Sequence, residues 1–166
     1  MVQVASGSPT AFSDLVHRHQ KNLLNFFTRL GVYNDAEDMV QETFVRVYRS
    51  REKYRPTAKF TTFLYVLARH VWADRGRQHM RRERLQDSLQ TDAEVLRGGP
   101  APRRGRKMDI EAALDSLSPK LREVIVLNVY QGLRYQEVAD VLGIPLGTVK
   151  SRISLALQEL RKVLDD

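Results

Sequence analysis

The stretch YQEVADVLGIPLGTVKSRISLALQEL, residues Tyr135–Leu160, reads as two short helices joined by a sharp turn. Gly143 suits the positive φ that ends a helix abruptly, because glycine has no Cβ to clash there. Pro145 fits the first turn of a new helix, where its missing N–H is no loss. The apolar members of the first helix are Val138, Ala139, Val141 and Leu142. This pattern predicts a helix-turn-helix.

The second helix of this motif has two faces of different character. Its predicted apolar stripe contains Val149, Ile153, Ala156, Leu157 and Leu160. The opposite face carries Lys150, Ser151, Ser154 and Leu155. A buried inner face with a small, polar and basic outer face is typical of a helix that lies in the major groove of DNA. We therefore interpret it as a DNA-recognition helix.

The charge of the chain also favours an anionic partner. The 166 residues include 27 Lys and Arg against 20 Asp and Glu, which gives a formal net charge of +7. Such an excess favours nucleic acid or an acidic membrane surface, although a merely soluble basic protein is the simpler alternative. The hydrophobic content of 42% is ordinary for a globular protein, and the length allows one domain or two small ones.

Several classes of chemistry are excluded by composition and spacing. The chain has no cysteine, which excludes disulfides, thiolate metal sites and cysteine nucleophiles. The histidines, His17, His19, His70 and His79, have no metal-binding spacing. We therefore expect no catalytic residue, metal site or cofactor. No apolar run has the length of a membrane span, and the N-terminus lacks the features of a signal peptide, so we expect a cytoplasmic protein.

The chain divides into three blocks. Residues 9–82 and 109–166 show helical apolar spacing, and neither shows the alternation of a strand. Residues 83–108 include the segment GGPAPRRGRK, whose composition cannot bury enough apolar surface to fold. We predict an all-α protein in which two small helical domains, 9–82 and 109–166, are joined by a flexible linker, 83–108.

A cluster of carboxylates stands out in this basic chain. Asp35, Asp38 and Glu42 share a predicted helix face, Gln41 is adjacent to it, and Glu37 lies nearby. The simpler interpretation is a solvated face with favourable charges at a helix N-terminus. The functional interpretation is a docking surface for a basic partner protein. Asn34 followed by Glu37 also resembles a capping box at the start of this helix.

The third predicted helix combines cations with aromatic side chains. Its arginines are Arg69, Arg75, Arg77, Arg81, Arg82 and Arg84. The interleaved aromatic residues are Tyr54, Phe63, Tyr65 and Trp72. This combination suits single-stranded nucleic acid, because cations follow the phosphates and rings stack on exposed bases. The alternative is that Phe63 and Trp72 belong to the core.

Taken together, these segments resemble the sigma-70 superfamily, specifically the short extracytoplasmic function sigma factors. The resemblance is carried by DAEDMVQETFVRVYR (Asp35–Arg49), FTTFLYVLARHVWADRGR (Phe60–Arg77) and LSPKLREVIVLNVYQGLRYQEVADVLGIPLGTVKSRI (Leu117–Ile153). In the family these correspond to the helix that docks on RNA polymerase, the helix that melts and reads the minus-ten element, and the domain that reads the minus-35 element. One such motif would be weak evidence, whereas all of them in this order form a strong signal.

The resemblance implies a promoter-specificity factor for bacterial RNA polymerase core enzyme, with no catalytic activity of its own, and it implies an anti-sigma factor as a further partner. The implied polymerase-docking residues are Asp35, Asp38, Gln41 and Glu42. The implied minus-ten DNA contacts are Tyr54, Arg55, Lys59, Arg69, His70, Arg75 and Arg77. The implied minus-35 DNA contacts are Thr148, Lys150, Ser151, Arg152, Ser154 and Leu155.

The main alternative is a stand-alone helix-turn-helix regulator of transcription. Such a protein would bind duplex DNA without polymerase, and it would give no role to the acidic helix or to the basic-aromatic helix. An enzyme acting on nucleic acid is a third possibility, but the sequence offers it no metal or nucleophile cluster.

Overall fold

The computed structural model describes residues 1–87 and 106–165, and within these ranges the chain forms helices and loops but no strand. In the N-terminal half the helices are α1 (Val2–Ala5), α2 (Pro9–Arg29), α3 (Ala36–Arg49) and α4 (Phe60–Asp87). In the C-terminal half they are α5 (Arg106–Ser116), α6 (Pro119–Ile125), a π-helical segment (Val126–Tyr130), α7 (Tyr135–Leu142) and α8 (Leu146–Asp165). The predicted all-α class is confirmed.

The ends of the predicted linker, 83–108, are helical. Helix α4 continues to Asp87, and α5 begins at Arg106. The arginines near the end of α4 favour a helix, since arginine has a high helix propensity, and this outweighs the local scarcity of apolar residues. Residues 88–105, which include most of the predicted linker, lie outside the described part of the chain.

The N-terminal half is built from α2, α3 and α4, which pack on one another. Helix α2 begins where the Ser8 hydroxyl accepts a hydrogen bond from the Ala11 N–H at 3.3 Å, with Pro9 in the first turn. The chain reverses after α2 at Gly31, whose φ of 89° requires glycine. Side chains with no exposed surface fill the centre: Leu23, Phe26, Phe27, Val47, Leu64 and Ala68.

The capping box predicted at the start of α3 is wrong. Asp35, not Asn34, occupies the N-cap, and its side chain makes no capping hydrogen bond. Glu37 therefore stands one position too early to return a bond to the cap. Glu37 and Asp38 remain in the first turn, where their negative charge is favourable next to the exposed N–H groups.

The C-terminal half has the predicted helix-turn-helix, α7 and α8, packed against α6. Gly143 has φ 64° and ψ 37°, the left-handed geometry expected at this helix end. Pro145 directly precedes α8, and its carbonyl accepts the Thr148 N–H at 3.0 Å. The turn chemistry read from the sequence is confirmed, with Pro145 lying one residue before the helix rather than within it.

Some predicted core positions are exposed. Leu157 is 46% exposed and Ile110 44% exposed, although both were assigned to apolar stripes. Leu157 lies about 70° round α8 from the centre of the buried line, at the margin of the stripe. The other stripe residues of α8 are buried or half-buried, namely Val149, Ile153, Ala156 and Leu160.

The two halves pack against each other rather than standing apart. Helix α4 contacts α7, and α2 contacts the π-helical segment. One continuous hydrophobic cluster includes buried residues of both halves, such as Leu64 and Val71 from α4 and Leu127 and Val138 from the C-terminal half. This contact positions the candidate DNA-binding face of α4 directly against the C-terminal half.

Candidate nucleic-acid interface

A cluster of partly buried aromatic rings lies where the loop before α4 enters the helix. The ring centroids of Tyr54 and Phe63 are 5.0 Å apart, and those of Phe60 and Phe63 are 6.2 Å apart. His19 of α2 approaches Phe60 at 5.3 Å. The cluster is only half-buried, so ring faces remain available for stacking on a base. Tyr54 therefore lies where the sequence placed a base contact.

The aromatic residues further along α4 have different environments. Tyr65 is almost fully buried and its ring packs 5.2 Å from Phe26. Burial raises the pKa of the Tyr65 hydroxyl, which donates a hydrogen bond to Gln131 Oε1 at 2.6 Å. Tyr65 is thus part of the core between the halves. Trp72 is half-buried against the hydrophobic cluster, so its ring is only partly accessible.

The cations predicted for minus-ten DNA fall into two groups. Lys59 and Arg69 bond to carboxylates of the C-terminal half: Lys59 Nζ lies 2.9 Å from Glu137 Oε1, and Arg69 Nε lies 2.7 Å from Glu123 Oε1. The others point elsewhere. Arg55 and His70 are exposed, Arg75 is half-buried, and Arg77 pairs with Asp74 on its own helix.

The acidic face of α3 is exposed at Asp35, Asp38 and Gln41. Glu42 differs, because Arg46 Nε donates to its Oε1 at 2.9 Å. Arg46 also reaches α4, where its Nη1 lies 2.8 Å from Asp74 Oδ2. Arg46 and Arg77 hold the pKa of Asp74 below its usual range.

These acidic residues share one open groove between α3 and α4. The groove is lined by Asp38, Gln41, Glu42, Val45, Arg46, Val71, Asp74, Arg75 and Gln78. Its acidic side chains give a basic partner accessible acceptors at Asp38 and Gln41, whereas Glu42 and Asp74 are already paired within the chain.

The outer face of α8 is presented to solvent. Exposed side chains on it are Lys150, Ser151, Ser154 and Leu155, the last with 47% of its surface exposed. Thr148 is half-buried, and its carbonyl accepts the Ser151 hydroxyl at 3.0 Å. Arg152 is half-buried on another side, where its charge acts on Glu123. The structure therefore brings most of the predicted minus-35 residues onto one open face and separates Arg152 from them.

The acceptors at the contact between the halves were not identified from the sequence. Glu123 is 5% exposed, and it interrupts the otherwise apolar run LREVIVLNVY. A single carboxylate in such a run is a signal in itself, because buried carboxylates need a charged or hydrogen-bonding partner. Gln131 and Glu137 gave no comparable signal, since polar residues near helix ends are common.

The described residues contain no group of three or more His, Cys, Asp or Glu that could hold a metal ion. Over the same part of the chain, no helix is both long enough and apolar enough to cross a membrane.

Comparison with known proteins agrees with this architecture. Residues 15–82 match Sigma-70 region 2, and residues 107–160 match Sigma-70, region 4. The ECF RNA polymerase sigma factor SigE of Mycolicibacterium smegmatis is 37% identical over 162 residues, which cover 93% of this chain and 62% of SigE. The ECF RNA polymerase sigma factor SigW of Bacillus subtilis is 31% identical over 176 residues, which cover 99% of this chain and 94% of SigW.

A solved structure is similar along nearly the whole chain. The sigma factor RpoE from Bartonella quintana, in complex with the anti-sigma factor NepR, superposes with a TM-score of 0.77 at 27% identity, covering 93% of this chain and 97% of RpoE. The chain belongs to the sigma-70 superfamily and, within it, to the extracytoplasmic function RNA polymerase sigma factors.

Proposed function

We propose that this sigma factor binds bacterial RNA polymerase core enzyme through the acidic face of α3 and directs it to promoters through two separate DNA-binding surfaces. The observation that carries the proposal is the coexistence, in one chain, of an exposed acidic face, an aromatic-cationic surface at the start of α4 and an outward-facing recognition helix. A stand-alone regulator needs only the last of these.

The docking surface consists of Asp35, Asp38, Gln41 and Glu42. Asp38 and Gln41 are exposed and line the groove between α3 and α4, so they are available to a basic partner. Glu42 is engaged by Arg46, and we expect it to contribute mainly by orienting that arginine. Asp38 is therefore the residue on which docking should depend most.

The minus-ten surface consists of Tyr54, Arg55, Lys59, Arg69, His70, Arg75 and Arg77. Tyr54 contributes a stacking face next to the loop cations, and the α4 cations follow the phosphates. Unstacking a base costs a few kcal/mol, and contacts in the assembled polymerase would offset that cost. These residues act as DNA contacts in an initiation factor, so the proposal includes no enzymatic activity.

The minus-35 surface consists of Thr148, Lys150, Ser151, Arg152, Ser154 and Leu155. The exposed members present one cation, two hydroxyls and an apolar side chain, which suits a phosphate contact together with base-edge contacts. Arg152 would reach DNA only if its side chain turned away from Glu123. The functional division we propose is 9–82 for polymerase docking and minus-ten recognition, 83–108 as linker, and 109–166 for minus-35 recognition.

An anti-sigma factor is the remaining proposed partner. RpoE of B. quintana, which this chain resembles in fold, is seen with the anti-sigma factor NepR. A protein that acts on polymerase and on chromosomal promoters works in the cytoplasm, and we assign this chain to that compartment.

The test is reconstitution with purified core enzyme. The chain is mixed with bacterial core polymerase and a pool of genomic promoter fragments, and the start sites of the transcripts are sequenced. Sequence-specific initiation that depends on the chain supports the proposal. Tight binding to duplex operators without any stimulation of initiation would instead support the stand-alone regulator.

A variant pair makes the docking assignment specific. Asp38→Lys should weaken core-enzyme binding, whereas Asp14→Lys, the same charge change on the exposed surface of α2, should not. Equal affinities for the two variants would remove Asp38 from the docking surface.

A further inference from the structure

The contact between the halves uses residues that the proposed function assigns to DNA. Arg69 and Lys59 belong to the proposed minus-ten surface, yet each bonds to a carboxylate from the C-terminal half. A carboxylate and a DNA phosphate are alternative anionic acceptors for the same cation. While Glu123 holds Arg69 at 2.7 Å and Glu137 holds Lys59 at 2.9 Å, neither cation can make the same bond to DNA.

The rest of this contact covers α4 physically. Tyr65 is buried beneath Gln131, and α7 packs along α4. On the far side, the Arg29 guanidinium lies 3.7 Å from the centre of the Tyr130 ring. DNA that followed α4 at Arg69 would have to displace the C-terminal half.

The contact is also built to be reversible. Gln131 accepts the Tyr65 hydroxyl, but its buried Nε2 has no hydrogen-bond partner within the described residues. A buried donor without an acceptor is unfavourable, and water would satisfy it if the halves separated. Glu123 would also regain water, which matters because removing a carboxylate from water is costly even when it is paired.

On this basis we propose that the C-terminal half of the free chain acts as an intramolecular competitor of promoter DNA. Glu123 and Glu137 occupy the cations Arg69 and Lys59, and promoter engagement requires the two halves to separate. The inference rests on the proposed role of α4 in minus-ten recognition. It adds a closed state that belongs to the chain itself and needs no second protein.

The first test measures the separation of the halves in the free chain. The sequence has no cysteine, so Lys21→Cys and Glu111→Cys can carry two unique spin labels. Both positions line one groove between α2 and α5 and are exposed. Pulsed dipolar spectroscopy should give a short-distance population in the otherwise unaltered chain. A distribution with only long distances would overturn the proposal.

Charge reversal should then open the contact. Lys59→Glu places a like charge beside Glu137 at an exposed position that folding tolerates, and it should raise the open-to-closed ratio about two- to fivefold. Lys53→Glu makes the same charge change elsewhere in the same loop and should leave the distances unchanged. Arg69→Glu should raise the ratio on the order of a hundredfold, because it leaves Glu123 buried beside a like charge.

The exchanged pair gives a rescue. Arg69→Glu combined with Glu123→Arg restores opposite charges across the contact and should restore the short distance. If the chain with Glu123→Arg does not fold, the comparison of Lys59→Glu with Lys53→Glu decides the question alone. Unchanged distances in Lys59→Glu and Arg69→Glu would overturn the proposal.

The second test asks whether the closed state excludes promoter DNA. The two cysteines are bridged by a reducible bis-maleimide, and initiation is measured with core enzyme before and after reduction. Bridging should lower initiation about tenfold or more, and reduction should restore it. Full initiation by the bridged chain would overturn the competitor and leave the sigma function intact. If the unbridged chain itself supports no initiation, the proposed function fails and the competition with promoter DNA fails with it, while the label distances still report whether the halves are closed.

Discussion

The Tyr65 hydroxyl donates a 2.6 Å hydrogen bond to Gln131 Oε1, while the other polar atom of that amide, Nε2, is buried without a partner among the described residues. One half of a polar pair is thus satisfied and the other half is not. The free energy of this arrangement can be measured, because both side chains have apolar substitutes of similar shape.

We expect Tyr65→Phe combined with Gln131→Met to raise the free energy of unfolding by about 1 kcal/mol. The double variant removes the satisfied bond together with the unsatisfied donor, and such paired replacement is neutral or stabilising. Tyr65→Phe alone should lower the same free energy, since Gln131 Oε1 then loses its donor as well. Urea denaturation of wild type, both single variants and the double variant measures these differences. A double variant less stable than either single variant would contradict the expectation.

A second prediction concerns Glu123 and pH. Burial raises the pKa of Glu123, and the hydrogen bond and charge of Arg69, together with the charge of Arg152, oppose this rise without cancelling it. Between the unfolded pKa near 4.5 and the higher folded value, the native state binds more protons than the unfolded state. The stabilisation from Glu123 is therefore complete below the unfolded pKa and is lost as pH rises through the folded pKa.

Glu123→Gln should lack this loss, because the amide resembles the protonated carboxyl and does not titrate. The unfolding free energy of the variant minus that of wild type should grow as pH is raised from about 4.5 toward neutrality. Chemical denaturation at a series of pH values measures it. A difference that stays constant or shrinks over that range would mean that burial does not dominate at Glu123.

The helix-turn-helix was predictable because each of its residues acts locally. Gly143 ends α7 through its own backbone freedom, and Lys150 and Ser151 are exposed because the apolar positions of α8 are spaced at helical intervals. The aromatic pair Tyr54 and Phe63 was also within reach of the sequence, since both precede or begin a strongly periodic helix. Such features need no knowledge of which helices meet.

The contact between the halves was not predictable for the opposite reason. Arg69 and Glu123 are 54 positions apart in the chain, and nothing in either segment states that they meet. The sequence identified Arg69 as a cation for DNA and read Tyr65 as one of several aromatic residues, because an exposed and a covered α4 have the same local pattern. Only the tertiary arrangement decides which acceptor a cation bonds.

A third prediction tests the turn of the helix-turn-helix with two neighbouring glycines. Gly143→Ala should lower the free energy of unfolding by about 1–2 kcal/mol, because φ of 64° is unfavourable for any residue with a Cβ. No atom lies within 4 Å of the added Cβ, so the effect would come from the backbone alone. The control is Gly147→Ala, inside α8 with equally open space, which should raise stability by about 0.5–1 kcal/mol. Changes of the same sign at both positions would contradict the backbone explanation.

The last prediction concerns the recognition helix and salt. Lys150 is exposed on the outer face of α8, beside Ser151 and Ser154, where it can neutralise a phosphate of minus-35 DNA. Each phosphate contact releases condensed counterions, so the logarithm of affinity falls against the logarithm of salt concentration by about 0.9 per contact. Lys150→Ala should therefore weaken promoter binding by the holoenzyme and flatten that slope by about 0.9. Lys162→Ala, an exposed lysine in the last turn of the same helix, provides the matched change of charge and should leave the slope unaltered. A slope that is the same in wild type and Lys150→Ala would mean that Lys150 makes no contact with the DNA backbone, and base recognition by Ser151, Ser154 and Leu155 would then need another anchor.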